Sequence, residues 1–71
     1  MEPVKKIKIG GVEIAVWENK SEKGDKFYST TLERNYKVGD EWKKTNSLRE
    51  NDLPKAAIGL QKAFEFIALK E

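Results

Sequence analysis

The last third of the chain constrains the fold most. From Asn51 to Leu69 the apolar residues recur at helical spacing, and they occupy two sides of that helix. At about 100° per residue, Leu53, Ala57, Leu60, Phe64, Ile67 and Ala68 form one stripe, while Ile58, Phe66 and Leu69 fall on roughly the opposite side. One sheet covers one stripe, so the other needs a second surface. A second copy of the chain is the simplest source, and this assigns Ile58, Phe66 and Leu69 to a homodimer interface. Asn51-Asp52-Leu53-Pro54 marks the helix start, because Asn or Asp can cap it and proline is tolerated in the first turn.

The preceding residues read as short alternating strands. Val4 to Ile9 sends Ile7 and Ile9 one way and Lys6 and Lys8 the other. Gly10-Gly11 supplies a hairpin turn, since paired glycines accept the positive φ that tight turns need. In the second strand, Val12 to Glu18, Val12, Ile14 and Val16 point inward and Glu13, Ala15 and Trp17 outward. Asn19 to Asp25 is a polar loop. A third strand, Lys26 to Lys37, is long enough to call for a bend or bulge. With Leu32 inward, Tyr28, Thr30 and Arg34 share its face, and Phe27, Ser29, Thr31 and Glu33 face out. Val38-Gly39-Asp40 is the next turn. In the fourth strand, Glu41 to Arg49, an inward Leu48 sends Lys43, Thr45, Ser47 and Arg49 outward and puts Trp42 on the inner side, as core or dimer interface. The expected fold is α+β: a curled four-stranded antiparallel sheet followed by one C-terminal helix, in a single domain spanning residues 1–71.

Seventy-one residues without cysteine form only a marginal core, which dimerisation would extend. The absence of Cys and His removes disulfides, thiolate or imidazole metal sites and the His-dependent nucleophile pairs. No carboxylates are spaced to aim at one point, so neither an enzyme nor a cofactor is expected. No run is apolar enough to span a bilayer, and Met1 to Lys6 lacks the apolar stretch of a signal peptide, so a cytoplasmic protein is expected, nucleoid-associated in a prokaryote. The net charge of +2 is unevenly spread: residues 1–49 carry eleven Lys or Arg against eight Asp or Glu, and residues 50–71 three against four. Positive charge therefore concentrates on the strands. The Lys- and Glu-rich composition also fits a thermophile.

The run Lys8-Ile9-Gly10-Gly11-Val12-Glu13-Ile14-Ala15-Val16-Trp17-Glu18-Asn19, a basic loop, Leu32-Glu33-Arg34-Asn35-Tyr36, Asp40-Glu41-Trp42-Lys43 and a closing helix resemble one known family. This is the C-terminal domain of the transcriptional coactivator positive cofactor four, related in architecture to the Whirly proteins. The resemblance implies the same strand order, dimerisation through the helix and single-stranded DNA bound across paired sheets. It implies DNA contacts at Trp17, Lys20, Lys23 and Lys26, and a stacking aromatic at Tyr36. The family's serine-rich regulatory tail has no counterpart, so a general binder is implied rather than a coactivator.

The residues support the same function on physical grounds. Single strands expose base faces that stack on aromatics and phosphates that attract Lys and Arg. An outward surface of Lys6, Lys8, Trp17, Phe27, Thr31, Lys43, Thr45 and Arg49 offers both. The expected partner is single-stranded DNA or RNA, bound largely without regard to sequence. Two alternatives stand beside it: a monomeric duplex-binding chromatin protein of the SH3-like archaeal type, and a protein-interaction module.

Overall fold

The computed structural model describes residues 2–69. Strands β1 (Lys5–Ile9), β2 (Val12–Lys20), β3 (Lys26–Val38) and β4 (Glu41–Thr45) form one antiparallel sheet in sequential order. A 3₁₀ turn, Glu50–Asp52, leads into helix α1 (Leu53–Ala68). The expected α+β order is what the chain adopts, and all four strands lie in a single sheet rather than an SH3-like barrel.

Tight turns set the register. Gly10 at φ +60° and Gly39 at φ +62° occupy the left-handed region, which costs glycine little, and each closes a two-residue hairpin. β3 is long because it serves two partners at different heights: Lys26 to Arg34 pair with β2, and Arg34 to Val38 pair with β4. Its ladder with β2 runs from Lys20↔Lys26 to Val12↔Arg34 at constant register, so the expected bulge is not there. The stagger stretches the molecule to 46 × 23 × 15 Å.

Val12, Ile14 and Val16 point to one side of β2 and are the largest fully buried side chains. Each contributes about 1.5–3 kcal/mol by burial. Ile7, Tyr28 and Leu32 flank them on the same side, as alternation requires. The helix meets this surface differently from the sequence expectation. Ala56, Gly59 and Ala63 are its buried residues, with Phe66 and Ile67 partly buried beside them. Leu53, Leu60 and Phe64, assigned to the sheet by their hydrophobicity, remain 55%, 44% and 64% exposed, and Ala57 and Ala68 are exposed too. The reason is volume. The sheet already presents branched side chains to the interface, so close packing needs small residues opposite them. An added Cβ at Gly59 would overlap Cδ1 of Ile14.

One mostly buried ion pair fixes the helix entry. Arg34 Nε lies 3.3 Å from Asp52 Oδ2 and donates to the Ser47 carbonyl at 3.1 Å, while the Arg49 N–H donates to the same Asp52 oxygen at 2.9 Å. Asp52 therefore ties the end of the linker to β3 rather than capping α1 with its side chain.

Candidate nucleic-acid interface

Helix α1 covers one face of the sheet and leaves the other open. Cross-strand pairing maps the open face row by row: Asn19 beside Phe27, Trp17 beside Ser29, Lys6 beside Ala15 and Thr31, Lys8 beside Glu13 and Glu33, Asn35 beside Lys44, and Lys37 beside Trp42. Lys6, Lys8, Trp17 and Phe27 lie where the sequence pattern put them. Ala15 also points outward, but taller neighbours bury it at the floor of a cavity of about 170 Å³ bordered by Lys6, Trp17 and Thr31. The Trp17 indole donates Nε1–H to Thr31 Oγ1 at 3.1 Å, which fixes the ring on the face without burying it.

The fourth strand corrects the expectation for several residues. Two-residue closure at Gly39-Asp40 sets Lys37 opposite Trp42 and Tyr36 opposite Lys43, so Trp42 and Lys44 face out while Lys43 and Thr45 face the helix side. Leu48, which anchored the opposite reading, lies beyond the strand end at Thr45 and carries no strand parity. Ser47 and Arg49 are likewise off the sheet, in the linker and at the 3₁₀ entry. Tyr36 shares the helix-side face with Arg34, whose guanidinium lies 5.2 Å from its ring centroid, so it stands on the opposite face from Trp17. Lys20 and Lys26 are cross-strand partners on the helix-side face, and Lys23 sits exposed in the Ser21-to-Asp25 loop.

Residues that the sequence reading missed complete the open face: Asn35, Lys37, Trp42 and Lys44. The signal that reveals them is the tight Val38-to-Glu41 turn, which dictates pairing more firmly than a lone leucine downstream. The indole of Trp42 is 70% exposed, with Lys37 Nζ 5.8 Å from its ring centroid.

The two acids on this face are engaged by its lysines. Glu13 lies 3.1 Å from Lys6 and accepts the Asn35 amide N–H at 3.2 Å, and these bonds hold its carboxyl below the ordinary range. Glu33, directly opposite Glu13, lies 3.7 Å from Lys44. Lys6, Lys8, Lys37 and Lys44 against Glu13 and Glu33 leave the face positive. Among the described residues, no three Cys, His, Asp or Glu side chains are grouped to hold a metal ion. No helix there is long and apolar enough to cross a membrane.

The expected dimer residues also separate. Phe66 packs against its own chain's core, 6.0 Å from Lys5 Nζ, whereas Ile58 and Leu69 are exposed. A further uncovered surface is the Leu53, Ala57, Leu60 and Phe64 flank, whose four-three-four spacing is that of a coiled-coil seam. Comparison with family models, curated proteins and solved structures gives no match.

Proposed function

We propose that this chain is a non-enzymatic, single-stranded nucleic-acid-binding module that works as a homodimer. The observation that carries the reading is the open sheet face, where Lys6, Lys8, Lys37 and Lys44 are interleaved with the aromatics Trp17, Phe27 and Trp42. Stacking on such rings contributes about 1–3 kcal/mol per base, and the lysines neutralise phosphates without regard to sequence. The resemblance to the positive cofactor four domain leads to the same reading. Its assigned contacts at Tyr36, Lys20 and Lys26 are not part of the surface proposed here, because they lie across the sheet from Trp17.

Shape supports the homodimer. The chain exposes 5571 Å², against about 4,500 Å² for a compact monomer of 8.2 kDa. Its radius of gyration is 13.9 Å, against about 11 Å for a compact chain of this length. The exposed Leu53, Leu60 and Phe64 flank is part of its apolar surface. Two copies meeting there keep both open faces outward.

The test is fluorescence anisotropy of a labelled single-stranded oligonucleotide at two salt concentrations, with the matching duplex as competitor. Single-strand binding that weakens with salt and resists the duplex is the expected result. Each phosphate neutralised steepens the logarithmic salt slope by about 0.7. Ready displacement by duplex, or no binding to either form, overturns the proposal.

A further inference from the structure

The open sheet face and the Leu53-to-Phe64 flank leave one concave surface unassigned, a groove of about 610 Å³ between β1 and α1. Ile7 and Ile9 line its strand side, Ile58 and Phe66 its helix side, and the exposed Lys5 and Lys62 stand along it. The groove follows the whole of β1. Lys55 lies against Gly10, where an added Cβ would meet its Nζ at 3.1 Å. A Cβ on Gly59 would meet Ile9 Cδ1 at 3.7 Å, and the Phe66 ring lies 6.0 Å from Lys5 Nζ. The helix therefore runs antiparallel to β1, with Ile58 on the side of the sheet edge.

The strand wall of this groove has hydrogen-bonding capacity left over. The Gly10-Gly11 turn closes on an Ile9 and Val12 pair that exchanges both backbone bonds. By alternation Lys5, Ile7 and Ile9 bond to β2, while Lys6 and Lys8 aim their N–H and C=O groups off the sheet. A peptide lying there in extended form would pair with those groups, and its side chains would alternate between two environments. On the helix side they enter the groove beside Ile58 and Phe66. On the other side they stand beside the ammonium groups of Lys6 and Lys8.

Charge selects the segment. Lys5, Lys8 and Lys62 form no salt bridge among the described residues, and Lys6 forms one, with Glu13. Glu65, the acid among the groove's described residues, accepts a hydrogen bond from the Gln61 amide at 3.2 Å. We infer that the β1 edge and its groove dock an extended acidic segment of a partner protein, in which Asp or Glu alternates with branched apolar residues. The segment adds as a fifth strand, its acids beside Lys6 and Lys8 and its apolar side chains against Ile58. A nucleic-acid strand does not fit this edge, because its backbone offers acceptors without the alternating donors that the Lys6 and Lys8 carbonyls require. The inference is independent of single-strand binding.

The probe is a labelled synthetic peptide of about eight residues alternating glutamate and valine, titrated by anisotropy, with amide hydrogen exchange followed by NMR. Binding is expected, together with at least about ten-fold slower exchange at the Lys6 and Lys8 amides, which are unpaired in the free chain. A peptide of the same composition, with glutamates and valines in two blocks, keeps the charge without the alternation and should bind about ten-fold more weakly. Replacing each glutamate by lysine should abolish binding. Ile58→Ser, at a position 55% exposed and checked for folding by circular dichroism, should weaken the alternating peptide about ten-fold and leave the block peptide unaffected. Failure of the alternating peptide to bind overturns the inference. Equal binding of the alternating and block peptides, or binding without protection of Lys6 and Lys8, reduces the contact to charge attraction and overturns it too. If those amides are already protected in the free chain, and Ile58→Ser both exposes them and halves the sedimenting mass, the groove belongs to a second copy and the acidic partner is excluded.

Discussion

Gly59→Ala isolates the close approach of helix and sheet, because two effects of opposite sign act at that position. Replacing glycine inside a helix stabilises by about 1 kcal/mol, since alanine loses less backbone entropy. Against this, the new methyl overlaps Cδ1 of Ile14, a fully buried residue whose neighbours leave it little room. Overpacking of this kind costs about 1–3 kcal/mol. Taking the middle of that range, Gly59→Ala should destabilise by about 1 kcal/mol and lower the Tm by roughly 4–8 °C for a domain of this size. Ile14→Val deletes the obstructing methyl at a cost of about 0.5–1.5 kcal/mol by itself. The next atoms that the added Cβ meets are Ile14 Cγ1 at 3.6 Å and Ile9 Cδ1 at 3.7 Å, both ordinary contacts. In the double variant the alanine keeps its helical advantage without the overlap. The double-mutant cycle, from urea unfolding at fixed protein concentration, should therefore give a favourable coupling of about 1–2 kcal/mol. Additive effects, or a Gly59→Ala chain more stable than wild type, would refute the argument that steric closeness requires glycine there.

Three further outcomes are expected. Trp17→Ala should weaken single-strand binding by about 1–3 kcal/mol with little change in Tm, since the ring lies on the open face and loses one bond to Thr31; unchanged affinity in titration removes Trp17 from the interface. Leu60→Glu with Phe64→Glu should convert a dimer to a folded monomer in sedimentation velocity, because both side chains are exposed within one chain; an unaltered sedimentation coefficient places the partner elsewhere. Glu13 is held below its ordinary carboxyl pKa of 4.5 by Lys6 and Asn35, so its contribution to stability is present above that value and fades as pH falls through the depressed folded pKa. Glu13→Gln should flatten that acid limb of a Tm-against-pH curve, and an identical curve would mean that the carboxylate is equally held in the unfolded chain.

Period-two alternation made β1, β2 and most of β3 legible from the sequence, because Ile7, Ile9, Val12, Ile14, Val16 and Leu32 on one side alternate with Lys6, Lys8, Glu13 and Glu33 on the other. β4 gave no such contrast. Its residues Glu41 to Thr45 are polar apart from Trp42, and a hydrophobic anchor taken from Leu48 reversed the faces of Trp42, Lys43 and Thr45. The helix failed for a related reason. Hydrophobicity ranks Leu60 and Phe64 above Ala56 and Gly59, but the fit against Ile14 rewards small volume. Trp17, Lys6 and Lys8 emerged from alternation alone, whereas Asn35 and Trp42 become neighbours only when the Gly39-Asp40 turn fixes the pairing.

A four-stranded sheet in sequential order is open at both sides, and its two outermost strands, β1 and β4, each leave a row of backbone N–H and C=O groups unpaired. Such edges invite strands from other molecules and are a route to aggregation. Lys5, Lys6 and Lys8 stand on one of them and Lys43 and Lys44 on the other, so a second copy approaching edge to edge meets like charge. The basic residues therefore keep the sheet from growing sideways whatever ligand lies on its face. Variants that remove several of them at once should be checked for solubility before any loss of binding is assigned to a missing contact.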